Sequence, residues 1–282
     1  LYADNIVFSE RKNDHYEGIS WKKLHEQILT IAFNLQNQFG FKPGDKIIVF
    51  SPNRTEMLLL ELAVMASGGI AVPIFAWFHQ ETAELLIRHS NANILAVAGE
   101  LQLSRISKEL NPEYIIVFDE GVEKKFRQQH SFSELLTETD SGNFSLNTSA
   151  LPDEVCLNMY TSGTMGVPKC VQLMHKNILS QQAAISQLWN LDSNNKFLSY
   201  LPWHHSFGGI FELFTALYCG ASIYLESGYG KNPEVIMENW KLVQPTVFFS
   251  VPKVYQSLFE LTTRDKEVEK LFFHPGLKFI FT

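Results

Sequence analysis

From Ser20 to the end of the chain, segments with apolar residues at helical spacing alternate with short continuous apolar runs, and that alternation leaves few folds open. After Ser20, a candidate N-cap, Trp21, Leu24, Ile28, Ile31 and Leu35 share one helical face. Gly40 and Pro43-Gly44 then stop the helix before the run Lys46-Ile47-Ile48-Val49-Phe50. The pattern predicts helix 54–67, strand 70–75, helix 81–89, strand 94–98, a short helix 104–110 and strand 114–119. A second series predicts helix 178–189, strand 196–200, helix 210–218, strand 221–226, helix 233–242, strand 246–251, helix 254–262 and a last strand at 277–281. Strands that read as unbroken apolar runs are buried on both faces, so the expected sheets are mostly parallel and covered by helices. Between Gln128 and Asp153 the composition turns polar. The expected fold class is therefore α/β, in two consecutive lobes at 1–150 and 151–282, the second carrying a glycine-rich loop.

The chain has 282 residues, ample for a sizeable core, and its 45% hydrophobic and 19% charged residues are those of a folded protein. Its 23 basic and 30 acidic residues give a formal charge of -7, the wrong sign for a broad polyphosphate-binding surface, so no nucleic-acid partner is expected. Met57 to Phe78 is apolar over nearly the length a bilayer requires, but Glu61, Gly68-Gly69 and Pro73 interrupt it, and no transmembrane segment is expected. Cys156, Cys170 and Cys219 are odd in number and lack C-x-x-C spacing, which fits a reducing, cytoplasmic setting. The chain opens on Leu1 and closes on the apolar run 277–281, as expected of part of a longer protein.

The residue types that carry chemistry concentrate in Tyr160-Thr161-Ser162-Gly163-Thr164-Met165-Gly166-Val167-Pro168-Lys169. Hydroxyls, two glycines and a lysine in one short loop can present side-chain and backbone donors with a cation to a polyphosphate. A Walker loop places Gly before its Lys and Ser or Thr after it, whereas here Pro168 and Cys170 flank Lys169. Val155, Leu157 and Met159 alternate before the loop, and Val171 and Leu173 after it, which predicts strand-loop-strand. Cys170, in an inferred strand with no identifiable base, reads as structural.

This run resembles the ATP-binding signature of the adenylate-forming (AMP-binding) superfamily. Leu201-Pro202-Trp203-His204-His205-Ser206-Phe207-Gly208 follows, and it resembles the His-containing motif of the acyl-CoA synthetase and luciferase branch. Lys42-Pro43-Gly44-Asp45, Ser51-Pro52-Asn53, Val72-Pro73 and Val251-Pro252 agree, so the resemblance covers essentially the whole chain. Met165, Cys170 and Asn158 depart from the family's usual residues. The resemblance implies the N-terminal part of an acyl-CoA synthetase-like fold, with the family's adenine, ribose and magnesium motifs and its C-terminal domain beyond Thr282.

It also implies an AMP-forming ligase that joins a carboxylic acid, expected to be a fatty acid, to the α-phosphate of ATP and then to CoA, with ATP, Mg2+ and CoA as cofactors and substrates. Thr161, Ser162, Gly163, Thr164, Gly166 and Lys169 would hold phosphates, and Lys169 and His205 would be the catalytic side chains. Trp203, His205, Phe207 and Gly208 would form the acyl end, and the metal ligands are left open. A fatty acyl-AMP ligase, an aryl-CoA ligase, a peptide-synthetase adenylation domain and a non-catalytic nucleotide-binding relative remain alternatives.

Overall fold

In a computed structural model of the chain, the described residues are 2–137, 146, 150–161 and 168–282. Among them the elements run, in chain order, β1 (Ile6–Lys12), β2 (His15–Ser20), α1 (Trp21–Phe39), β3 (Lys46–Phe50), α2 (Thr55–Ala66), β4 (Ile70–Ile74), α3 (Gln80–Ser90), β5 (Ile94–Val97), α4 (Glu100–Leu103), β6 (Tyr114–Val117), β7 (Gln129–Ser131) and α5 (Phe132–Leu136). They continue with β8 (Val155–Thr161), β9 (Lys169–Met174), α6 (His175–Trp189), β10 (Lys196–Ser199), a π-helical segment Phe207–Leu213, α7 (Phe214–Cys219), β11 (Ser222–Leu225), α8 (Pro233–Val243), β12 (Val247–Phe249), α9 (Pro252–Arg264), α10 (Lys266–Phe272) and β13 (Phe279–Phe281). Ser20 caps α1 as expected, its Oγ accepting from the Lys23 N–H at 3.2 Å, and Gly40 ends it with φ +63°.

The chain divides into two compact units, Leu24–Ile178 and the pair of segments Leu1–Lys23 with Leu179–Thr282. Both are α/β with mostly parallel sheets, which is the expected class. The sheets draw the division elsewhere than at 150. β8 pairs in parallel with β4, so the 155–174 hairpin joins the sheet of the 24–178 unit, and β1 pairs in parallel with β11, so the chain's start joins the other sheet. The polar stretch read as a boundary holds β7 and α5, the latter begun by a capping box between Ser131 and Glu134. The short helix expected at 104–110 is instead α4 at 100–103 followed by a single 3-10 turn at 108–110.

In the 24–178 unit the strand order is β7-β6-β5-β3-β4-β8-β9, parallel throughout except for the β8–β9 hairpin. Ile47 to Phe50 and all of β4 and β5 are buried, which explains why these strands read as unbroken apolar runs. Ile48, Phe50, Val72, Ile74, Leu86, Ile87, Leu95 and Val117 form the core cluster beneath α3. In the other unit the order is β13-β12-β10-β11-β1-β2, parallel except for the β1–β2 hairpin. Among the described residues no helix is long and apolar enough to cross a membrane. The 57–78 run is α2 and β4, and α2 is apolar almost all round because it is buried almost all round.

The exception on α2 is Glu61, 3% exposed, whose Oε1 has no hydrogen-bond partner. Burial pushes its pKa up to about 8. The native state then binds a proton that the unfolded chain releases near pH 4.5, so Glu61 lowers stability as pH rises from there through 8, by up to about 1.4 kcal/mol per pH unit. Glu61→Gln is expected to flatten the fall of the urea-unfolding midpoint between pH 5 and 8. A variant with the parent's pH profile would show that Glu61 does not titrate in this way.

Candidate functional site

The glycine-rich loop is carried by the β8–β9 hairpin, the strand-loop-strand arrangement expected from the alternation on either side. Thr161 pairs with Lys169 at its open end, and Tyr160 with Cys170 one step inside. Because β8 runs parallel to β4, the loop leaves the sheet at the carboxyl ends of its parallel strands, where open α/β sheets bind ligands. Thr161 and Lys169 are both exposed. Ser162, Gly163, Thr164, Met165 and Gly166 lie outside the described residues. Cys170 is half-buried and burial raises its thiol pKa, which suits a structural residue. Asn158 is buried with its Oδ1 unpartnered, a polar group in a strand position that is otherwise apolar.

A residue that motif reading passed over secures the strand end. Nδ1 of His89, on α3, lies 2.9 Å from the Tyr160 hydroxyl, and the two rings meet edge to face with centroids 5.6 Å apart. Burial lifts the Tyr160 phenol to about 12, so it is neutral and available as both donor and acceptor. Nothing local in the sequence links His89 to Tyr160; only the packing of α3 does.

The switch point of this sheet lies between β3 and β5, because the chain moves from β3 to β4 on one side and then crosses to β5 on the other. Arg54 fills its carboxyl end. The guanidinium binds Glu56 at 2.6 Å and Asp119 at 2.7 Å and stands 5.7 Å from the centre of the Phe118 ring. Two carboxylates on one cation leave no net positive charge there for an anionic ligand.

The other unit repeats that strand order: β10 passes to β11 on one side and then to β12 on the other, so its switch point lies between β10 and β12. The segment Tyr200 to Gly208 emerges at that carboxyl end. Tyr200 crosses the gap, with its hydroxyl 2.5 Å from the Ser250 Oγ. A turn closes with the His205 N–H donating to the Pro202 carbonyl at 3.1 Å, and the Gly209 N–H returns to the His205 carbonyl at 2.8 Å.

The Phe207 N–H donates to Nδ1 of His205 at 3.2 Å. That bond selects the tautomer with its proton on Nε2, so the exposed ring offers an N–H donor suited to a carboxylate. His204 is different: burial lowers its pKa to about 4, which keeps it neutral.

Phe207 opens the π-helical segment and joins a group of rings with Phe211, Phe249 and Phe281 at 5.6 to 6.3 Å. Trp203, expected as an acyl wall, is instead a core residue, 1% exposed and edge-on to Phe8 at 5.6 Å. The close of the turn directs it inward while His205, two residues on, faces out. Glu212, further along the π segment, is fully buried; its Oε2 accepts from Ser199 at 2.6 Å, and burial raises its pKa well above the usual carboxylate value.

Comparison with known proteins gives one family. The family model described as AMP-binding enzyme matches residues 2–281. Fatty acyl-CoA synthetase B of Dictyostelium discoideum is 28% identical over 289 residues, 95% of this chain and 42% of that protein. Oxalate–CoA ligase of Arabidopsis thaliana is 25% identical over 267 residues, 93% of this chain and 50% of that protein. The chain thus spans half or less of each of these two relatives. Among solved structures, o-succinylbenzoate coenzyme A synthetase of Bacillus subtilis in complex with AMP has a TM-score of 0.78 at 18% identity, covering 100% of this chain and 65% of that one. At that identity the likeness is one of fold.

Gly208 packs where no side chain fits, since a Cβ there would lie 2.5 Å from the Pro202 carbonyl oxygen and 2.6 Å from that of Leu201. Both obstacles are backbone, so the turn itself must move. Gly208→Ala is expected to cost about 2 kcal/mol and several degrees of thermal midpoint. A midpoint within a degree of the parent's would show that the turn yields without strain.

Proposed function

Because the chain belongs to the AMP-binding enzyme family, we propose that it forms the phosphate-loop and acid-recognition portion of an AMP-forming acid–CoA ligase whose acid is a fatty acid. The observation that carries the reading is the hairpin closed by Thr161 and Lys169 at the carboxyl ends of a parallel sheet, in a chain matched by the family from residue 2 to 281. The fatty-acid assignment draws on the first of the two relatives; the oxalate ligase makes the acid the point to measure.

A carboxylate is ionised at neutral pH and needs no general base; the barrier is the approach of two anions. In the first step a carboxylate oxygen bonds to the α-phosphorus of ATP as the bond to the β-phosphate oxygen breaks and pyrophosphate leaves. Thr161, Ser162, Gly163, Thr164, Gly166 and Lys169 take the role of holding the β- and γ-phosphates and the departing pyrophosphate. In the second step the CoA thiol displaces AMP from the acyl group, giving the thioester. His205, with Nε2–H free to donate, takes the acid's carboxylate, and Phe207 the adjoining apolar part. Gly208 serves by letting the turn that carries His205 pack against Leu201 and Pro202. Among the described residues no three His, Cys, Asp or Glu side chains gather as a metal site.

Two substitutions separate the roles in the protein that carries this chain. Lys169→Ala removes one charge-assisted phosphate contact, worth about 1.5 to 3 kcal/mol, and is expected to weaken ATP about ten- to a hundredfold while the exposed position leaves the thermal midpoint nearly unchanged. His205→Ala is expected to slow acid-dependent ATP–pyrophosphate exchange by a similar factor with ATP affinity within about threefold. The assay is run over a panel of dicarboxylic, aryl and fatty acids. Exchange kinetics unchanged in Lys169→Ala, or no exchange with any acid, would overturn the assignment.

A further inference from the structure

The end of β8 is tied to α3 by a contact with no counterpart in the signature itself. Tyr160 precedes Thr161, and its hydroxyl reaches two groups on α3: Nδ1 of His89 at 2.9 Å and the carbonyl oxygen of Leu86 at 3.4 Å. One arrangement of protons satisfies both, with His89 donating from Nδ1 to the Tyr160 oxygen and the Tyr160 proton donated to Leu86. The helix that holds these two groups is itself fixed. Ala83, Leu86 and Ile87 are buried in the core cluster of the 24–178 unit, and the Tyr160 ring packs on the same cluster. His89 is exposed and meets Tyr160 at the surface. Its loss would open no cavity, so a stability role gives it little to do.

We propose that His89 is a positioning residue for the phosphate loop: through Tyr160 it fixes the strand end from which the loop departs, and so the direction in which Thr161 and Lys169 present their donors. This rests on the reading of the loop as the phosphate site. The tether acts one residue before the first phosphate-facing side chain and one cross-strand pair inside Lys169. A shift of Tyr160 therefore moves both strands of the hairpin end together. Rigid placement of donors is what makes them effective toward developing charge, and a strand end rooted on a packed helix gives Thr161 and Lys169 that rigidity.

The test follows backbone amide exchange and ATP binding in the protein that carries this chain and in its His89→Ala, His89→Asn, Tyr160→Phe and Lys169→Ala variants. In His89→Ala the amides of Thr161 and Lys169 are expected to exchange about fivefold faster, with Cys156 to Asn158 unchanged and ATP binding weakened about fivefold. Tyr160→Phe should match it, and the double variant should be no worse than either single one, as for two members of one contact. His89→Asn, whose amide can donate from near the Nδ1 position, should return both readouts to within twofold. Unchanged exchange at Thr161 and Lys169 in both single variants would overturn the tether. Faster exchange with ATP binding as in the parent, while Lys169→Ala is weakened, would overturn its role in positioning. ATP binding that is absent, or indifferent to Lys169→Ala, would overturn the phosphate-site reading on which the proposal rests, and exchange alone would then report the tether.

Discussion

A parallel strand covered on both faces has no water on either side, and that constraint decides where this chain can keep its polar chemistry. Ile47 to Phe50 and Val247 to Phe249 are wholly buried, so an ionisable group within them would bear the full cost of desolvation. Polar function is displaced to the segments that leave the carboxyl ends of the strands, where turns free the backbone N–H groups and side chains regain solvent. The glycine-rich hairpin and the His205 turn both stand at such ends, each in its own unit. Where carboxyls are nevertheless buried, burial raises the pKa of Glu61 to about 8 and that of Glu212 well above the usual carboxylate value, and Ser199 donates its hydroxyl to Glu212.

The same strand order occurs twice and ends in two chemistries. In the 24–178 unit the gap between β3 and β5 is sealed by Arg54 with Glu56 and Asp119, a cluster that satisfies itself. In the other unit the carboxyl end of the gap between β10 and β12 is crossed by the Tyr200 hydroxyl, bonded to Ser250 and accepting from the Val251 N–H, and the turn above it presents a histidine. Topology therefore nominates a crevice in each unit. The side chains that line it decide whether a ligand has anything left to bind.

Strands were legible in the sequence where burial is symmetric, β3, β4 and β5 as apolar runs, and α1 was legible as one apolar face with a cap at the start and a break at the end. The β1–β2 hairpin was not, because β2 is largely exposed and β1 finds its parallel neighbour in β11, some two hundred residues on. The same distance hid the true division of the chain, which depends on which strands pair and not on where composition turns polar. The helix expected at 210–218 proved to be a π segment running into α7, a change of hydrogen-bond step that apolar spacing cannot register. At the candidate site, motif spacing singled out Thr161, Lys169 and His205, and all three are exposed at the carboxyl ends of parallel strands. Trp203, placed by the motif at the acyl end, turns into the core while His205, two residues on, is exposed, and motif reading missed His89, which meets Tyr160 only through the fold.

The parallel pairing of β1 with β11 also sets an order of assembly on a ribosome. Residues 24–178 contain every strand of their sheet and can close it as soon as they emerge. β1 must wait for its parallel neighbour, because β11 is synthesised after that unit is complete and the pairing with Ile223, Tyr224 and Leu225 does not exist before then. Until that moment Val7 and Phe8, both fully buried at the end, have nothing to cover them. Residues 6–20 are thus placed only after the 24–178 unit has closed, and a nascent chain stalled before residue 222 carries an apolar strand seeking an edge.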